Sequence, residues 1–345
     1  MMGRLGQQLG NYRLVRLLGK GGFAEVYLGE HIHLNTQAAI KLLRTQLARD
    51  DVASFRTEAR TIAHLKHPNI VSILDFGVEN DLPFLVMEYA PNGTLRQCHP
   101  KGESLPLPIV LQYVKQVAAA LQYAHTNNLI HRDVKPENML LNYNKDVLLS
   151  DFGIAIVVQS TQPQSNKELA GTWAYMAPEQ IQGKPCAASD QYSLGIVVYE
   201  WLTGVQPFQG NYVEVAAQHL EAIPPPLSNK LSPNLPAVEK VVQISLAKDP
   251  QKRFGSVQAF ANALEQAYQV DLSTRSMQLR NSSSQTTISA KEPMMVATLN
   301  GPSGRMVLRL PVNTIGSMYD NQYVISEPSV SPHHAEIRLA RLYHH

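Results

Sequence analysis

The hydrophobic pattern of this chain changes period at about residue 90, and that change constrains the layers it can build. Before it, YRLVRLL from Tyr12, AEVYLGEH from Ala24 and QAAIKLL from Gln37 alternate or cluster apolar residues over strand lengths. IVSILDFGV and PFLVMEY add two more strand candidates. A single helical interruption, SFRTEARTIAHL, spaces Phe55, Ala59, Ile62 and Ala63 at helical intervals and is stopped by His67-Pro68-Asn69. After APNGTL the period becomes helical. PIVLQYVKQVAAALQYAHTNN carries apolar residues at 110, 111, 114, 117, 118, 121 and 124, a stripe wide enough for a buried helix. SDQYSLGIVVYEWLTG, NYVEVAAQHLEA, AVEKVVQISLAK and SVQAFANALEQAYQ read the same way. The expected class is α+β, with a small strand-built lobe over 12–90, a larger helical lobe over 91–268 and a hinge near Glu88 to Gly93.

Past the helical lobe, residues 269–293 are rich in Ser, Thr and Asn without periodicity, the composition of a flexible linker, and 294–345 regain a strand-like character. Thirty basic against 28 acidic residues leave a net charge of +2, too balanced to suggest a nucleic-acid or membrane partner. The two cysteines, Cys98 and Cys186, form no CxxC, which argues against a zinc site or a disulfide framework and for a reducing compartment. Every apolar run falls short of the roughly 18 residues a membrane span needs. The amino end, MMGRLGQQLG, lacks an apolar signal core, so the expected location is cytoplasmic.

Three stretches carry chemistry. GKGGFAEVYLGEH meets the pattern G-x-G-x-x-[G/A]-x-V through Gly19, Gly21, Ala24 and Val26. Such glycines let a backbone fold over a polyphosphate and aim amides at it, although a plain glycine hairpin fits this stretch alone equally well. Lys41 ends an apolar strand, where a lone lysine is most often a sheet margin. Glu58 follows on the next helix, placed to meet it, and that pair would keep the ammonium aimed at phosphates. Finally, IHRDVKPEN at 130–138 crowds a histidine, two cations, a carboxylate, a proline and an amide together, which suits neither a helix interior nor a strand. An isolated aspartate such as Asp133 or Asp151 would read as a helix cap or a turn residue.

Taken with LLSDFGIA and WAYMAPE, HRDVKPEN resembles the catalytic loop of the eukaryotic-type (Hanks-type) protein kinases, in their bacterial Ser/Thr branch, over residues 12–268. The resemblance implies ATP and Mg²⁺, with Mn²⁺ as an alternative ion, and protein partners bearing Ser or Thr acceptors. It implies that Asp133 orients the acceptor hydroxyl and takes its proton, that Lys135 neutralises the migrating phosphoryl group, and that Lys41 and Glu58 complete the catalytic set. Asn138 and Asp151 would hold the metal. Leu18, Gly19, Gly21, Gly22, Val26 and Ala39 would surround the nucleotide with Lys41, Met87 would be the gatekeeper, and Glu88 to Ala90 would offer backbone groups to adenine. Lys135 and the Gly171-Thr172 pair imply Ser/Thr rather than Tyr acceptors. Glu179 and Arg253 would form a buried ion pair, Asp190 would hold the catalytic loop, and His131 and Phe152 would pack. A homodimer for trans-autophosphorylation fits the same picture. The rival is a nucleotide-binding scaffold with weak or no transfer, against which the intact Lys41, Glu58, Asp133, Asn138 and Asp151 argue. Small-molecule kinases share part of this layout, but APE and the Gly-Thr loop favour a protein acceptor.

Arg132 precedes the catalytic aspartate, where relatives pair it with a phosphorylated residue, often four positions before the Gly-Thr threonine. Here that position is Glu168, and the expectation is a permanent, weaker negative charge for Arg132, with Ser160, Thr161 and Ser165 as candidate autophosphorylation sites. The tail resembles part of a forkhead-associated β-sandwich through Ile315-Gly316, Asn321, Pro328-Ser329-Val330-Ser331 and His334-Ala335-Glu336-Ile337. Ser317 replaces the arginine that would grip phosphate, Pro332 replaces a basic residue, and the later strands are missing, so a partial module is expected over 294–345.

Overall fold

Along β4 (Gln37–Leu43) successive side chains leave on opposite faces of the sheet, and this alternation separates two cores. Ala38, Ile40 and Leu42 join Leu9, Leu14, Phe84 and Val86 on one face. Ala39 and Leu43 join Leu85 and Met87 in the core that continues through the rest of the kernel. Lys41, between Ala39 and Leu43 in the pleat, shares that second face. The computed structural model describes residues 4–21, 24–44, 57, 59–79, 82–152, 173–227 and 235–284, with five short strands beyond residue 296.

The sheet contains β1 (Gln8–Leu9), β2 (Tyr12–Lys20), β3 (Ala24–His31), β4, β5 (Ile73–Glu79) and β6 (Leu82–Glu88). Their order is β1-β2-β3-β4-β6-β5, with every pairing antiparallel. All five strands expected from alternation form. Register sets Val26 opposite Lys41, Lys41 opposite Leu85 and Ala39 opposite Met87. One face of three adjacent strands thereby gathers the residues that roof a cleft. The intervening helical segment is seen over 59–63, with Ala59 and Ile62 buried as its spacing predicts.

The helical part comprises α1 (Leu95–Cys98), α2 (Leu107–Thr126), α3 (Pro178–Ile181), α4 (Ala187–Thr203), α5 (Tyr212–Glu221), α6 (Pro236–Ser245) and α7 (Val257–Ser284). Val110, Val114, Val117, Ala118, Leu121 and Ala124 of α2 are completely buried, each large side chain stabilising the fold by about 1.5–3 kcal/mol. α4 is buried nearly all round from Ser189 to Leu202, as an interior helix must be. Gly204 ends it in the left-handed region at φ +75°. α5 starts from a capping box in which Asn211 accepts from Val213 and Glu214 while Glu214 accepts from the Asn211 amide. A hairpin of β7 (Met139–Leu141) and β8 (Val147–Leu149) was not legible in the sequence, since three residues per strand are too few to show a period.

The stretch 269–293, expected to be an irregular linker, is helical as far as Ser284. No Pro or Gly interrupts the run from Val257, and the helix is already nucleated by the buried Phe260, Ala261 and Leu264, so each further residue adds a hydrogen bond without a new nucleus. Asp271 also anchors it, its carboxylate accepting from the Ala237 and Val238 amides at the start of α6, at 3.1 and 3.0 Å. Among the described residues no helix is long and apolar enough to cross a membrane.

Residues 281–345 make a second compact unit. In it β9 (Ala297–Gly301) pairs antiparallel with β10 (Gly304–Leu308). β11 (Val312–Gly316) pairs in parallel with β12 (Tyr323–Val324) and antiparallel with β13 (Ala335–Arg338).

Candidate active site

The loop between α2 and β7 is held by one buried carboxylate. Asp190, on the first turn of α4 and 1% exposed, accepts from the backbone amides of His131 and Arg132, both at 2.8 Å, and contacts His125 Nε2 at 2.7 Å. Backbone amides that would otherwise be orphaned in a buried turn are thus satisfied. Arg132 in this turn has φ +68°, and Asp151, two residues past β8, has φ +67°, a conformation an L-residue keeps only when its surroundings impose it. His131 packs its ring on Phe152 at 4.5 Å, contacts the Ser150 carbonyl through Nε2 at 2.8 Å, and accepts the Asp133 amide at Nδ1. His131 and Phe152 are packing residues, as expected.

Those contacts bring four polar side chains of the loop region together. The Asn138 amide nitrogen donates to the Asp133 carbonyl at 2.8 Å and to Asp133 Oδ2 at 2.9 Å, so its oxygen is turned the opposite way. Lys135 Nζ sits 2.8 Å from Asp133 Oδ2. The Ser150 amide donates to the Asn138 carbonyl, tying the loop to the residue before Asp151. Lys41 reaches down from β4 to within 2.7 Å of Asp151 Oδ1. Burial pushes the Asp151 carboxyl up, but the charge and hydrogen bond of Lys41, with His131 and Lys135 nearby, hold it below its ordinary value. It is ionised at neutral pH. Glu58, the expected partner of Lys41, lies outside the described residues, as do Gly22 and the segment 153–172.

Beside this cluster is a cavity of about 380 Å³. Leu18, Gly19, Val26 and Ala39 line it from the sheet, and Lys41 and Asp151 close its polar end. Met87, Glu88 and Ala90 line its connecting edge. Gly21 lies in the turn after β2, its amide donating to the Ala24 carbonyl. Apolar walls with a few convergent charges are the usual make-up of a small-molecule site. Val71 and Leu140 also line it, and neither was assigned to the site from the sequence: Leu140 belongs to the short hairpin, and Val71, expected within a strand, lies in the irregular connection before β5.

A family model for the protein kinase domain matches residues 12–268. The chain belongs to the protein kinase family. Its kinase domain is similar to that of the serine/threonine-protein kinase PrkC of Bacillus subtilis (strain 168), 38% identical over 267 residues, 76% of this chain and 41% of PrkC. It is 38% identical over 274 residues to the serine/threonine-protein kinase PknA of Mycobacterium tuberculosis (strain ATCC 25618 / H37Rv), 76% of this chain and 63% of PknA. It is 40% identical over 252 residues to the serine/threonine-protein kinase PknB of Mycobacterium leprae (strain TN), 70% of this chain and 40% of PknB. The chain therefore spans about two fifths of the length of PrkC and PknB.

Two further buried clusters brace the kinase domain. Arg253, whose side chain is fully enclosed, donates to both Glu179 oxygens at 2.7 and 2.8 Å, the pair expected from the sequence. The second was not anticipated: Arg96 of α1 meets Glu137, Tyr175 and Glu200, residues too far apart in sequence for any local pattern to join them.

Proposed function

We propose that this chain transfers the γ-phosphoryl group of ATP to Ser and Thr hydroxyls of proteins. The carrying observation is that Lys41 and Asp151, from distant parts of the chain, meet at one end of an apolar-walled cavity, beside the loop that holds Asp133, Lys135 and Asn138 together. The cavity suits a nucleotide. The Glu88 amide is engaged by the Ser72 carbonyl, so the edge groups left to contact a base would be the Glu88 carbonyl and the Ala90 peptide. A Cβ added at Gly19 would meet nothing within 4 Å, and neither Gly19 nor Gly21 has positive φ. The fold itself does not require glycine there, which supports close approach of that backbone to a polyphosphate.

Phosphoryl transfer depends on positioning and charge more than on covalent help. Asp133 would orient the acceptor hydroxyl and receive its proton late, as the hydroxyl oxygen bonds to the γ-phosphorus and the bond to the ADP oxygen breaks with its electron pair. Lys135, beside Asp133, would offset charge on the migrating group. Lys41 would hold the α- and β-phosphates, exchanging part of its contact with Asp151 for them. The Asn138 oxygen and the Asp151 carboxylate fit a hard divalent cation, with phosphate and water oxygens completing its shell. Mg²⁺ or Mn²⁺ bound there would neutralise phosphate charge. The test is incorporation of radiolabelled phosphate into an acceptor protein. Asp133→Asn is expected to lower it by about 10²–10⁴-fold, and equal incorporation by variant and wild type would refute the assignment.

Arg132 Nε is buried with no hydrogen-bond partner among the described residues, which supports its reading as the receptor for a negative charge on the segment 153–172, Glu168 in the first instance. The tail we read as a partial forkhead-associated-like module. The pairing of β11, which ends at Gly316, with β13 at Ala335–Arg338 supports a β fold for it, and Ser317 in place of arginine argues against a phosphothreonine grip.

A further inference from the structure

Arg96 joins four parts of the kinase domain. From α1 its Nε donates to Glu137 Oε1 at 2.8 Å in the turn Pro136–Asn138, and its Nη1 to Glu200 Oε1 of α4 at 2.8 Å. Its Nη2 donates to Glu200 Oε2 at 3.1 Å and to the Tyr175 hydroxyl, which in turn donates to Glu200 Oε2. Two carboxylates face one guanidinium, so the cluster carries a net charge of −2 + 1 = −1. Burial opposes the charge on Arg96, but the hydrogen bonds of Glu200 and Glu137 more than restore it, and it stays protonated.

The two carboxylates are not equivalent. Glu200 is enclosed and both its oxygens are engaged. The Glu137 side chain is 40% exposed, lines the cleft cavity, and has one buried oxygen, Oε2, with no donor among the described residues. A purely structural pair would hide and satisfy both. Glu137 lies two residues past Lys135, and Tyr175 lies three before Pro178, in the segment that runs toward α3. The cluster therefore flanks the route by which a peptide would bring its hydroxyl to Asp133.

We propose that Arg96 fills, from within the chain, an acidic pocket of the peptide groove, so that the enzyme does not select acceptors by a neighbouring arginine. This rests on the protein kinase reading given above. Glu137, Glu200 and Tyr175 form a receptor shaped for a guanidinium fork, and a side chain already seated there excludes one supplied by a substrate. Without Arg96, a substrate arginine would find the enclosed Glu200, the half-exposed Glu137 and the Tyr175 hydroxyl.

The experiment uses the full chain as wild type, Arg96→Ala, Arg96→Gln and the double variant Arg96→Ala with Glu137→Gln. Each is offered a set of serine peptides carrying one arginine at successive positions around the acceptor. Transfer is measured as kcat/KM, and peptide binding by fluorescence anisotropy with a non-hydrolysable ATP analogue. Wild type is expected to vary less than about twofold across the set, while Arg96→Ala gains about tenfold for arginine at one position, as a charged hydrogen bond is worth. The double variant loses that gain. A strong arginine preference in wild type, or a folded Arg96→Ala that stays flat, would overturn the proposal. If neither Arg96 variant folds, Glu137→Gln decides: with Arg96 still seated its response to the peptide set should stay as flat as that of wild type, and a response to arginine that changes at any position refutes the idea. If wild type transfers phosphate to no acceptor, the kinase reading fails, and the anisotropy series alone decides the pocket, a missing gain counting against it.

Discussion

Replacing Arg253 by alanine removes a cation that is fully enclosed and makes five hydrogen bonds. Two go to Glu179, three to the carbonyls of Ala247, Ala188 and Lys248, and the guanidinium also stands 4.8 Å from the centre of the Tyr192 ring. The dominant loss is Glu179, left as a buried charge with Ser189 as its remaining strong donor. Breaking a buried pair in this way costs about 3–5 kcal/mol, a large share of the roughly 5–15 kcal/mol that holds a domain folded. At about 2–4 °C per kcal/mol for a domain of this size, melting should fall by roughly 6–20 °C. The pH dependence is the sharper test. Burial raises the Glu179 carboxyl, but the hydrogen bonds of Arg253 and Ser189 and the Arg253 charge outweigh it, so its pKa lies below the ordinary value in the folded wild type. That contribution is present above the unfolded pKa and is lost as pH falls through the folded one. Without Arg253 burial prevails, the folded pKa rises, and acid stabilises the variant relative to its own neutral state. Urea denaturation followed by circular dichroism, from about pH 7.5 to about pH 4.5, should therefore show the gap between the two proteins narrowing on acidification. A loss under about 1 kcal/mol, or a gap that widens toward acid, would refute the assignment of the cost to uncompensated Glu179.

Asp190→Ala removes the acceptor of two catalytic-loop amides; kcat is expected to fall about 10²-fold through misplacement of Asp133 with the KM for ATP nearly unchanged, and a folded variant with wild-type kcat would contradict this. Gly204→Ala forces an L-residue to φ +75° with its Cβ 2.9 Å from the Gly102 carbonyl oxygen, a strain of about 1–3 kcal/mol that should lower the melting temperature; an unchanged melt would show that the loop yields freely. Glu168→Ala should cut the activity of phosphatase-treated enzyme severalfold, and equal activity would remove Glu168 as the standing partner of Arg132.

Much of this protein was legible before any coordinate. Alternation with period 2 and stripes with period 3.6 depend on neighbours within a turn, so five of the six strands of the sheet, β2 to β6, and α2, α4, α5 and α6 could be read from residue order alone, whereas the two-residue β1 could not, and Lys41, expected at the end of its strand, lies two residues inside it. The polar loop 130–138 was equally plain, because its residues suit no regular element. Tertiary structure decided what depends on contacts between distant residues. It pairs Lys41 with Asp151, and joins Arg96 to Glu200 across 104 positions. It also carries α7 through a serine-rich stretch once Asp271 is tied to α6. No local pattern encodes these, since whether a buried charge is tolerated depends on which opposite charge the topology delivers to it.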